Sequence, residues 1–217
     1  MRIAGGKRLA LGIAVIVLTL GAFPVNAQSK KSAKQAENLA KSAESAKASM
    51  QKALDSVGKL HDGYNSIIDG TAKNPQSTYK KLVGLLKDTQ KEIDRTQKQV
   101  QAMNKEAGKF FAAWESDLNE ISNEDLRQKS QTRLDASKAK YETLGQGLSE
   151  ARDLFAPMLQ GLNDQVVFLG RDLSPEAIAD LTDEAAALNE EVRSVSEQVS
   201  SLLASADSAE AAAEGAD

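Results

Sequence analysis

Apolar residues recur every three and four positions over most of this chain, and that spacing lays one stripe along each of four successive helices. The first stripe runs Ala36, Leu39, Ala43, Ala46, Met50, Ala53, Val57, Leu60, Tyr64 and Ile67. It stops at Gly70 and Asn74-Pro75, because glycine closes a helix well and proline disfavours helix in the residue before it. The pattern predicts a helix over about 30 to 69. The second stripe carries Tyr79, Leu86, Ile93, Val100, Ala107, Trp114 and Ile121 at sevens, with Leu82, Met103 and Phe110 between them. Thr89 and Thr96 take two intermediate core positions of this helix, which is expected over about 77 to 121.

Ser122 and Asp125 have the spacing of a capping box, so the chain is expected to stop and restart there with almost no loop. Without that bend the second and third helices would form one rod about 140 Å long, which would need a partner copy to cover its apolar rows. The third stripe is Leu134, Tyr141, Leu148, Phe155, Leu162 and Leu169, flanked by Leu144, Ala151, Met158 and Val166. Pro157 interrupts it, and an interior proline costs about 3 kcal/mol and bends a helix. Ser174-Pro175-Glu176 opens the fourth helix as an N-cap followed by proline in the first turn. Its stripe runs Ile178, Leu181, Ala185, Leu188, Val192, Val195, Val199, Leu202 and Ala206.

Rods of about 40 residues are about 60 Å long, and short connections make neighbours antiparallel. The expected fold is all-α: an elongated, antiparallel four-helix, coiled-coil-like bundle over residues 28–207. Folding at the turns sets small Ala36, Ala43 and Ala46 opposite bulky Phe110, Met103 and Val100, so that each layer fills to normal density. It also sets Gly58 near Pro157, where a loose or hinged layer is expected. Residues 208–217 are Ala, Glu and Asp with little to pack and are expected to be a disordered tail.

The first residues read differently. Arg2, Lys7 and Arg8 precede an apolar run from Leu9 to Phe23, and Val25-Asn26-Ala27 forms a small-residue cleavage site. The run is shorter than the roughly 20 residues of a membrane span, so residues 1–27 read as a cleavable signal peptide, cut after Ala27. A periplasmic or secreted bacterial protein is implied. The chain from Gln28 has 24 Lys and Arg against 31 Asp and Glu, and the signs are segregated. Residues 28–111 carry +7 and residues 112–217 carry −14. The halves can attract each other, whereas a nucleic-acid binder is expected to be basic overall.

Candidate chemistry is sparse. The chain has no Cys and one His, which rules out disulfides, thiol nucleophiles and multi-histidine metal centres. A carboxylate-bridged di-iron bundle needs Glu three residues before His, and Gly58 stands there relative to His61. His61 reads as a boundary residue or a pH-sensitive switch. No Gly-x-Ser-x-Gly elbow or glycine-rich phosphate loop is present, and Glu115 with Asp117, or Glu190 with Glu191, read as solvated faces. No enzyme activity, cofactor or small-molecule substrate is expected. The hydroxyls of Thr89, Thr96, Ser130 and Ser137 in apolar rows are expected to bond back to their own helices, with specifying helix register or forming a cavity for a lipid chain as the other readings. The densest feature is Phe110, Phe111 and Trp114. Phe110 and Trp114 lie on core rows, so the cluster reads as an aromatic plug; because Phe111 flanks the row, Phe110, Phe111 and Trp114 are also the candidate interaction patch.

Trp114-Glu115, Leu118, Ser122-Asn123, Leu126-Arg127, Ser130, Tyr141, Leu144, Pro157, Asp164-Gln165-Val166, Phe168-Leu169, Ala177-Ile178 and Leu181 together resemble the bacterial family filed as domain of unknown function 2959. The likeness covers roughly Ala112 to Ser205 well and the basic first half loosely. It departs at Gly170-Arg171-Asp172-Leu173-Ser174, where the family pattern is Lys-His-Asn-Leu-Asn. The resemblance implies an exported all-helical protein, lipid-anchored in some members, and implies no catalytic residues. Two functions follow as expectations: a non-enzymatic envelope scaffold that binds another envelope protein or itself, and an amphipathic module that lies on lipid.

Overall fold

The computed structural model describes the backbone of residues 27–214 and the side chains of residues 30–204. Its elements are α1 (Ala27–Ile68), α2 (Pro75–Leu118), α3 (Glu124–Leu169), α4 (Pro175–Ala179) and α5 (Thr182–Glu214), with no strand among the described residues. α1 packs on α2, α2 on α3, α3 on α5 and α5 on α1, which closes a four-cornered bundle. Residues 1–26 of the expected leader lie outside the described residues. So do the side chains of the expected tail, along which the backbone is helical through Glu214.

The chain turns where local chemistry dictates. Gly70 has a φ of 65° and closes the turn after α1, and Asn74 caps α2 by accepting from Ser77 N at 2.9 Å. Between α2 and α3 the chain bends, so the single long rod is excluded. The cap there is Asn123, whose Oδ1 accepts from Leu126 N at 3.1 Å, and not the expected Ser122. An amide oxygen one residue later serves the same orphan N–H groups.

One expectation needs correction. The fourth helix is two, because Asp180 and Leu181 form a turn in which Leu181 N reaches Ile178 O at 3.2 Å. Thr182 Oγ1 bonds Ala179 O at 2.8 Å, and Asp183 and Glu184 supply the acidic start that favours a new helix. α3 runs as one helix through the exposed Pro157, as its heptad row predicts.

The core runs the length of the bundle. Ser49 Oγ meets Thr96 Oγ1 at 3.1 Å and Thr89 Oγ1 donates to Ser56 O at 3.3 Å, which pins α1 against α2 in antiparallel register. Continued downward, that register brings Ala36, Ala43 and Ala46 opposite Phe110, Met103 and Val100, all buried. The hydroxyls therefore do more than bond to their own helix: Thr96 reaches both Glu92 O and Ser49, and Thr89 crosses to α1.

Candidate functional site

At the end of the bundle where α1 begins, aromatic rings close the core. Phe110 lies 5.3 Å from Phe111 and 5.6 Å from Trp114 between ring centroids, and Phe111 lies 5.9 Å from Tyr141 of α3 at an interplanar angle of 67°. These tilted and edge-on contacts are the favoured arrangement for aromatic pairs. Trp114 Nε1 donates to Ser130 Oγ at 3.0 Å, which gives the half-buried indole its polar partner and explains a serine in an apolar row. Phe110 is 4% exposed and Phe111 is 7% exposed. Phe111 is thus part of the plug, and its expected role as an exposed patch is overturned because Tyr141 covers the ring.

At the opposite end a polar clasp takes the place of rings. Tyr64 lies in a core row of α1, fully buried, and its hydroxyl donates to Gln165 Oε1 of α3. Gln165 Nε2 in turn donates to Glu184 O of α5 at 3.4 Å. Burial, and secondly the charge of Glu184, push the Tyr64 hydroxyl well above its ordinary pKa. One turn away, His61 Nε2 lies 2.6 Å from Asn189 Oδ1 of α5 and 3.1 Å from Asn65 Nδ2. With Nε2 protonated the ring donates to Asn189, and with Nδ1 protonated it accepts from Asn65. His61, treated as a boundary residue from the sequence, is a tie between α1 and α5.

Gln165, Glu184 and Asn189 carried no sequence signal as a group, since they come from two helices and meet only when the bundle closes. The usable hint was Tyr64, because a tyrosine in a core row needs a partner for its hydroxyl.

The exposed apolar side chains lie elsewhere. Val83, Val167 and Phe168 are 44%, 53% and 41% exposed near the clasp end, and Leu126 is 57% exposed near the aromatic end. Tyr79 Oη lies against Gly170, where a Cβ would strike it. Val83 is one turn along α2 from Tyr79 and Val167 one turn back along α3 from Gly170.

Around these features the helix faces are charged. Lys41 holds the Glu37 carboxyl below its usual range by hydrogen bond and charge, and Glu190 holds the Arg193 guanidinium above its own. Lys138 of α3 pairs with Glu115 of α2. A shallow groove between α1 and α2 is lined by Lys52, Lys59 and Lys91 together with Asp55, Asp88 and Glu92, so its charges balance. Among the described residues no helix is long and apolar enough to cross a membrane, and no three His, Asp or Glu side chains are grouped to hold a metal ion.

A protein-family model described as "Protein of unknown function (DUF2959)" matches residues 26–211, the basic first half included. No curated protein and no solved structure matches the chain.

Proposed function

We propose that this chain, which belongs to the DUF2959 family, is an exported, non-enzymatic scaffold of the bacterial envelope that works by binding another protein along its helix faces. The observation that carries the reading is where the apolar residues go. The heptad rows of α1, α2, α3 and α5 are consumed in one continuous core, and the titratable groups lie mostly on solvated faces in short-range pairs. What such a rod about 60 Å long offers is surface. Its exposed apolar side chains toward the clasp end are Val83, Val167 and Phe168, with Lys80 three residues before Val83 and Arg171 three after Phe168. The apolar start of the chain and the Ala27 site support export.

The test is in-cell photo-crosslinking from a reactive amino acid at exposed Phe168, with Phe111 as the buried control. A discrete protein adduct from position 168 and none from 111 is the expected result. An adduct with lipid alone would replace the scaffold reading by the amphipathic one. Sequencing the N-terminus of the exported protein tests the leader, with Gln28 as the expected first residue.

A further inference from the structure

The positive charge of the first half of the chain is not shared equally between its two helices. On α2 the exposed side chains include seven Lys and one Arg against Asp88, Asp94 and Glu115, a net +5. On α1 six exposed Lys stand against four acids, a net +2, and three of those Lys lie at its first turns. α3 exposes four basic against seven acidic side chains and α5, as far as residue 204, one against four, a net −3 each.

The placement along α2 matters as much as the sum. Lys91, Lys98 and Lys105 recur at sevens, which sets them on one line along the rod, and Gly84 continues that line toward the clasp end. The stretch from Lys80 to Lys109 is about 44 Å long. Lys91 pairs with Asp88, Arg95 with Glu92 and Lys109 with Glu106, all within α2. Lys80, Lys81, Lys87, Lys98 and Lys105 have no carboxylate in range among the described residues. α1 and α3 are the neighbours of α2, so α5 with its acids lies at the opposite corner. With adjacent helix axes about 8–10 Å apart, the outward faces of α2 and α5 are separated by more than the Debye length of about 10 Å at 0.1 M salt. An anionic surface set against α2 therefore meets the lysines and is screened from α5, although the chain as a whole is acidic.

The side chains say which kind of anion fits. Protein interfaces are depleted in Lys and enriched in Arg, Tyr and Trp, whereas α2 exposes one Arg and no aromatic ring. The large apolar side chain it exposes is Val83. Lysine is a compact point charge on a flexible stem, which suits a loose array of phosphates better than a fixed carboxylate or a base edge. We propose that the outward face of α2, from Lys80 to Lys109, docks on an anionic lipid bilayer. The bundle stays closed and lies along the headgroups, held by charge, with α5 turned away. The docking draws on the export part of the proposed function and is independent of what binds Phe168.

Vesicle flotation of the chain from Gln28 to Asp217 is the test, with vesicles of phosphatidylcholine alone or mixed equally with phosphatidylglycerol. Binding is expected to the mixed vesicles alone at about 0.05 M salt, with release at about 0.5 M, where charges are screened within a few ångström. Lys91→Gln, Lys98→Gln and Lys105→Gln together should weaken it roughly 100-fold, since each surface lysine adds about fivefold. Lys129→Gln, Arg133→Gln and Lys140→Gln together make the same change in net charge on α3 and should leave binding within about twofold. All six side chains are exposed, so circular dichroism should match the unchanged chain in both variants. The chain has no Cys, so Gly84→Cys and Ala186→Cys each take one environment-sensitive dye. The dye at position 84 should brighten on the mixed vesicles and the dye at position 186, on α5, should not. No flotation with the mixed vesicles, equal losses in the two triple variants, or equal dye responses at 84 and 186 would each overturn the docking face. Binding to soluble polyglutamate or duplex DNA at the same salt, without flotation, would overturn the bilayer as its occupant. None of these results touches the crosslink from position 168, which judges the scaffold reading separately.

Discussion

The two ends of the bundle are closed by opposite means. The aromatic end packs Phe110, Phe111, Trp114 and Tyr141 at the level of small Ala36 and Ala43, with the Trp114 indole donating to Ser130. The clasp end packs aliphatic side chains and Tyr64, and closes through directed bonds among Tyr64, Gln165, Glu184, His61 and Asn189. Burial of apolar surface is strong and non-directional, whereas each hydrogen bond adds only about 1 kcal/mol net but works in one register. The first kind of closure supplies stability. The second specifies which helix sits where.

The largest effect should come from breaking the aromatic end. Phe110→Ala removes a buried ring from a layer whose opposite wall is alanine, so nothing nearby can fill the space. A loss of about 3–5 kcal/mol is expected, read as a fall in melting temperature of roughly 10 °C. Phe111→Ser should be costly too, with helical signal lost along with any change in binding, because the ring is covered by Tyr141. If Phe110→Ala costs no more than a surface substitution, the aromatic end does not hold the bundle and the contrast fails.

This end was also the one the sequence exposed most clearly. Heptad spacing alone assigned Phe110, Trp114, Leu134 and Tyr141 to core rows, because apolar periodicity depends only on the helix itself. It assigned Phe111 poorly, since a residue one step off the row is buried or not according to the reach of its neighbour, here Tyr141. The clasp was illegible for a related reason. Gln165 and Asn189 look like ordinary polar flanks until α3 and α5 are set against α1. The break at Asp180 and Leu181 was hidden because the apolar row Ile178, Leu181, Ala185 continues across it. The family resemblance, clear from Ala112 onward, extends over residues 26–211.

Alkali probes the clasp end through Tyr64. The Tyr64 hydroxyl is held neutral in the folded protein, so the folded state keeps its proton at a pH where the unfolded chain loses it. Its contribution is fully present below pH about 10, the unfolded value, and is lost as pH rises from there toward the raised folded value. The loss per pH unit in that window is up to about 1.4 kcal/mol. In chemical denaturation at pH 9, 10 and 11, Tyr64→Phe should flatten the alkaline fall relative to the unchanged protein. An identical fall in both would mean that Tyr64 does not titrate between the two states. At neutral pH the same substitution should cost about 1 kcal/mol, the worth of one hydrogen bond to a side chain that water can still reach.

The smallest effect asks whether the ends differ in closure only or also in the stiffness of their helices. Gly58 in α1 lies toward the clasp end and Gly108 in α2 toward the aromatic end. A Cβ built on either meets nothing within 4 Å. Both are inside helices, where glycine costs about 0.5–1 kcal/mol relative to alanine through the freedom it has when unfolded. Gly58→Ala and Gly108→Ala should therefore each stabilise the protein by about that amount, read as a shift of the denaturation midpoint. Equal gains would place the whole difference between the ends in their side chains. A loss at Gly58 with a gain at Gly108 would mean that the clasp end uses a yielding backbone at the level of Pro157.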